Sequence, residues 1–149
     1  MVHNEPNASE TAPHQQQGRA ENMSNKSSPL RVLVVDDEPL ICWSLAETLG
    51  ASGDQVTEAE SGDAAIRMLT TAPAPDVVML DYQLPDSRDL TLLQTVRRLA
   101  PRSRVILMSA YCTPDVANQA LALGACRVVA KPLDIEEVPA MVDEAARTH

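Results

Sequence analysis

The sequence predicts an α/β fold: a five-stranded parallel sheet, doubly wound by helices on both faces, in the order 2-1-3-4-5. Three observations carry this. Short apolar runs, most of them β-branched, recur five times from residue 31 onward. Each is followed by a stretch with helical spacing or a helix-starting signal, the alternation that builds a parallel sheet covered on both faces. Several of the runs stop abruptly on polar residues. Right-handed crossovers leave few topologies for such a chain, and the weak second run belongs on an edge.

The elements follow in order. "RVLVV" at 31–35 reads as a fully buried strand. Pro39 suits a helix's first turn, and Ile41, Leu45 and Leu49 then recur on one helical face. Residues 50–54 break that helix. "QVTEA" alternates weakly and is the expected edge strand. A second helix is expected over 62–70, ended by "APAP". "DVVML" is a buried strand ending on Asp81. Leu90, Leu93, Val96 and Ala100 mark a third helix. "RVILM" is the fourth strand and ends on Ser109. A short helix is expected over 115–123. "RVVA" is the fifth strand and ends at Lys131, and the last helix is expected over 135–147.

Composition narrows the function. The chain of 149 residues is long enough for one domain with a real core. Its 12 basic and 21 acidic side chains give a formal charge of -9, which argues against nucleic acid as the main partner. No apolar stretch approaches the roughly 20 residues of a membrane span, and the N-terminus lacks a signal-peptide pattern. Cys42, Cys112 and Cys126 are odd in number and have no CxxC spacing, so free thiols in a reducing cytoplasm are expected. Residues 1–29 are polar and nearly empty of large apolar side chains. A disordered tail is expected there, with Met23 as an alternative start, and the folded domain over 30–149. His3, His14 and His149 lie near the termini and are given no chemical role.

Ligands in open α/β sheets bind beyond the carboxyl ends of the strands. Here those ends carry Asp36 and Asp37, then Asp81, Ser109 and Lys131. In the expected strand order they meet in one shallow cleft. Two carboxylates about 5 Å apart at an effective dielectric near 20 repel by roughly 3 kcal/mol. Three of them need a cation. Mg2+ takes hard oxygen ligands and keeps several waters. A carboxylate beside it is a candidate nucleophile toward phosphorus, with Lys131 as a fixed positive charge opposite.

The pieces "VLVVDDEP", "VVMLDYQLPD", "VILMSAY" and "VVAKPL", in this order and spacing, resemble the receiver domain of two-component response regulators over residues 30 to about 147. The resemblance implies roles. Asp81 would accept a phosphoryl group from a phosphohistidine on a sensor histidine kinase or histidine phosphotransfer protein. Asp37 would ligate Mg2+ directly and Asp36 mainly through water, with the carbonyl of Gln83 completing the protein ligands. Ser109 and Lys131 would bond phosphoryl oxygens, and the Lys131–Pro132 peptide would be cis. The first helix would meet the kinase or phosphotransfer helices, which makes Leu40 and Trp43 candidate contacts. The alternative for Trp43 is partial burial against a neighbouring helix.

Three positions depart from the family pattern. Val128 stands where the family has a switching aromatic, with Tyr111 as a speculative substitute. Asp89 stands where glycine is frequent, and aspartate tolerates left-handed backbone. Gln83 and Tyr111 occupy positions that tune dephosphorylation. No helix-turn-helix or catalytic domain follows to His149, so the expectation is a single-domain response regulator acting on a downstream target protein. Its output face would be 115–147. The rivals are an interaction module that works without phosphate and an aspartyl-phosphate phosphatase. The phosphatase would need DxD where this chain has "DDE".

Overall fold

A computed structural model describes residues 29–147. Most of the expected tail, with Met23, His3 and His14, lies outside the described residues, as does His149. Strands β1 (Arg31–Val35), β2 (Gln55–Ala59), β3 (Val77–Asp81), β4 (Arg104–Ser109) and β5 (Arg127–Ala130) form one sheet in the order β2-β1-β3-β4-β5. Every pairing is parallel. The strand boundaries and order match the expectation, because continuous β-branched runs bury both faces of a strand at once. Strand β2 is the expected edge, with only Ala59 fully buried.

The helices are α1 (Pro39–Ala51), α2 (Gly62–Thr71), α3 (Thr91–Leu99), α4 (Pro114–Ala122) and α5 (Val138–Arg147). Alternation along the strands splits the core in two. Val34, Met79 and Ile106 face Leu45 and Leu49 of α1 and Val142 of α5. Leu33, Leu80 and Leu107 face Leu69 of α2, Leu93 and Val96 of α3 and Ala120 of α4. No helix of the described residues is long and apolar enough to cross a membrane.

Two expectations about helices need correction. The buried stripe of α1 is Cys42, Leu45 and Leu49, while Ile41 is half-buried at its rim. Spacings of three and four along the helix admit either residue, and packing chose the smaller one. The last helix also does not run unbroken from residue 135. Ile135–Glu137 is a 3-10 turn, and the α-helix starts at Val138. Pro139 explains the break, since proline fits a first turn but clashes with a turn preceding it.

The turn from α4 into β5 depends on Gly124, whose φ is +109°. A Cβ there would stand 2.7 Å from Nε of Arg97. That arginine spans the end of α3 by donating Nη1 to the carbonyls of Pro101 at 3.2 Å and Ser103 at 2.8 Å. Gly124→Ala is therefore expected to lower stability by about 1–2 kcal/mol from backbone strain alone, with displacement of Arg97 adding to it. Urea denaturation checks this, and an unchanged midpoint would refute it.

Candidate functional site

The carboxyl ends of β1, β3, β4 and β5 lie side by side. Strand β1 runs straight into Asp36 and Asp37 before Pro39 starts α1. Asp81 is the last residue of β3, paired in register with Met108, and Ser109 closes β4 one residue further on. Lys131 follows β5, held by its N–H to the Ser109 carbonyl at 2.9 Å and followed by a cis peptide to Pro132, as expected.

Carboxylate oxygens of Asp36, Asp37 and Asp81 lie within 4.8 Å of one another. Asp36 and Asp81 are buried and Asp37 is exposed. Three hard oxygen donors at this separation suit a small divalent cation such as Mg2+. Lys131 answers the same charge from the other side. Its Nζ lies 2.8 Å from Oδ2 of Asp36 and 3.2 Å from Oδ2 of Asp81. Burial pulls the lysine down, but the hydrogen bond to Asp36 and the charges of both aspartates outweigh it, so its pKa stays raised. Asp81 is pushed above the usual carboxylate value, first by burial and then by the charge of Asp36. Lys131 and the N–H of Gln83 oppose that shift.

Gln83 meets Asp81 through its backbone, the N–H donating to Oδ1 at 3.2 Å. Ser109 is buried, and its Oγ accepts the Tyr111 N–H at 3.2 Å. The Tyr111 ring is 71% exposed. Val128 is half-buried against the core, filling the position of the expected aromatic. Asp89 does not use the left-handed backbone considered for it, since no non-glycine described residue has positive φ. Its carboxylate instead accepts the Thr91 N–H, the first of α3, at 2.9 Å. Leu40 and Trp43 are 74% and 59% exposed on α1, so Trp43 is partly covered and still presents most of its surface to solvent. Cys112 is an exposed free thiol.

Two residues at the site escaped sequence reasoning. Glu38 Oε1 lies 3.4 Å from Lys131 Nζ. Its adjacency to the acidic pair in "DDE" was the available signal. The buried thiol of Cys42 donates to the carbonyl of Asp36 at 3.2 Å. Burial, with the charges of Asp36 and Glu58, pushes this thiol to about 11, so it stays protonated at neutral pH. Nothing in the sequence distinguished it from an incidental cysteine.

Fold and site together define an α/β domain with an acidic, lysine-faced cleft at the carboxyl edge of its sheet. The family model of the response regulator receiver domain matches residues 32–143. The chain is 38% identical over 112 residues to the DNA-binding transcriptional regulator NtrC of Klebsiella pneumoniae, covering 75% of this chain and 24% of that protein. It is 33% identical over 108 residues to sporulation initiation phosphotransferase F of Bacillus subtilis, covering 72% and 86%. The receiver domain of the Francisella response regulator 1452 superposes with a TM-score of 0.73 at 25% identity, covering 79% and 97%. This chain belongs to the response regulator receiver domain family. It spans about a quarter of the length of the NtrC relatives it matches. Receiver domains are phospho-acceptor switches of two-component signalling. They bind Mg2+ at an acidic pocket and interact with sensor kinases or phosphotransfer proteins and with downstream effectors.

Proposed function

We propose that Asp81 accepts a phosphoryl group from a phosphohistidine on a sensor histidine kinase or histidine phosphotransfer protein. The phosphorylated chain then changes its protein contacts or passes the group on to another histidine. The observation that supports this is the convergence of Asp36, Asp37 and Asp81 on one point, with Lys131 bonded to two of them. The relay reading is supported by the likeness to sporulation initiation phosphotransferase F, 86% of which this chain covers. NtrC's DNA binding is not carried over to this chain.

An Asp81 oxygen attacks phosphorus, a P–O bond forms, and the P–N bond of the phosphohistidine breaks with its electron pair leaving on the imidazole. Asp36, Asp37, Asp81 and the Gln83 carbonyl would hold Mg2+, which would neutralise charge on the phosphoryl oxygens. Lys131 is already within reach of Asp81 and needs little movement to bond a phosphoryl oxygen there. Ser109 Oγ accepts the Tyr111 N–H and keeps its own O–H as a donor for a phosphoryl oxygen, which would couple phosphorylation to the loop after β4. Leu40 and Trp43 offer an apolar surface on α1, beside the cleft, for the helices of the donor.

Beryllofluoride, which mimics a phosphoryl group on a carboxylate, tests the site without a donor protein. With Mg2+ it is expected to change the emission of Trp43, the single tryptophan, and to produce a bound fluorine resonance. Neither signal is expected without Mg2+. Silence in both would shift the reading to an interaction module that works without phosphate, for which Val128 in place of the aromatic is the favouring observation.

A further inference from the structure

Asp86 lies in the loop between β3 and α3, five residues beyond Asp81. Its carboxylate reaches across to α2. Oδ1 accepts the N–H of Gly62 at 2.9 Å, and Oδ2 accepts the N–H of Asp63 at 3.0 Å. Both donors sit in the first turn of α2, where N–H groups have no partner within the helix and the helix dipole favours a carboxylate. The two bonds hold the Asp86 carboxyl below its usual value. Gly62 permits the approach, since a Cβ there would stand 3.2 Å from both Asp86 Oδ1 and Leu92 Cδ2.

The chain between Asp81 and Asp86 has little slack. Gln83 donates its N–H to Asp81, and Leu84 is buried in the core. Leu84 and Ser87 then exchange two backbone hydrogen bonds, at 2.8 and 3.2 Å, closing a tight turn with Asp86 at its tip. Gln83 is the residue just before this turn.

We propose that Asp86 is a positioning residue of the phosphoryl-acceptor site: by fastening the β3–α3 loop to the start of α2, it fixes Gln83 and so the carbonyl assigned to the cation. This rests on the site reading given under Proposed function.

Calorimetric titration of the full chain with Mg2+ tests it, comparing wild type with Asp86→Ala, Asp86→Asn and Ser61→Ala. Outer-shell supports of metal ligands typically contribute 10–100-fold in affinity, and Asp86 acts through a loop, so Asp86→Ala is expected to raise the Mg2+ Kd about tenfold. Asp86→Asn keeps one acceptor oxygen and should fall between. Ser61→Ala is the control for helix capping. Ser61 Oγ accepts the Ala64 N–H at 3.1 Å on the same helix end but does not touch the loop, so its Kd should stay close to wild type. Wild-type affinity in Asp86→Ala would overturn the proposal. So would an equal loss in Ser61→Ala, which would reduce the contact to a helix cap. If Asp86→Ala fails to fold, wild-type affinity in Asp86→Asn overturns the proposal by itself. A wild type that binds no Mg2+ would instead bring down the site reading, and this inference with it.

Discussion

Asp81→Asn is expected to abolish phosphoryl uptake. After incubation with Mg2+ and acetyl phosphate, intact-mass measurement should find one added phosphoryl group on the wild type and none on the variant. The reason is chemical: the carboxamide is not a nucleophile of comparable strength, and it removes one of three charges that attract the cation. The same substitution should have the opposite effect on folding. Asp81 is buried beside Asp36, and without metal its pKa is raised. A carboxyl raised in the folded state contributes stability below its unfolded pKa and loses it as pH rises through the folded value. At neutral pH without metal, wild-type Asp81 is therefore a burden that asparagine relieves. The variant should unfold at a higher temperature than wild type at pH 7 in chelator, and the two should converge below about pH 4. Uptake of phosphate by Asp81→Asn would move the acceptor to another residue. A lower melting temperature at pH 7 would mean that the bond to Lys131 outweighs burial.

Lys131→Met is expected to give the largest loss of stability. The lysine is the cation seen to face Asp36 and Asp81, both buried, with Glu38 adding a third carboxylate at 3.4 Å. Removing one partner of a buried ion pair leaves uncompensated charge and costs about 3–5 kcal/mol. Because the lysine pKa is raised on folding, its contribution is fully present below the unfolded value near 10.4 and is lost only as pH rises through the folded one. The deficit should therefore be undiminished at pH 7. Mg2+ should restore part of it by supplying another cation to the same carboxylates, so the rise in urea midpoint on adding Mg2+ should be larger in the variant than in wild type. Equal midpoints without Mg2+ would show that the ion pair is offset by its own desolvation.

Much of the fold was legible because it is written in local pattern. Fully buried strands must be apolar on both faces, so "RVLVV", "VVML" and "RVILM" announced themselves, and weak alternation marked β2 as the edge. The site was legible for a related reason. A polar residue ending a buried strand stands out, and parallel strands place their endings on one edge. What was less legible depended on choices that local pattern leaves equal. Cys42 and Ile41 both suit the inner face of α1, and the packed structure buries Cys42, whose thiol donates to the Asp36 carbonyl. Asp89 suited a left-handed turn and instead accepts the first N–H of α3.

The sequence by itself determined the five strands and the polar and charged residues that end them, because apolar runs and their polar endings need no partner to be recognised. The tertiary structure decided which of these groups bond directly and at what distance. Lys131 reaches Asp36 across 95 residues of chain, and Asp86 reaches Gly62 across 24. Such contacts depend on ångström-scale placement of strand ends and loops by the packed core, which sequence spacing does not encode. The same placement tied Glu38 to Lys131 and left Trp43 in solvent.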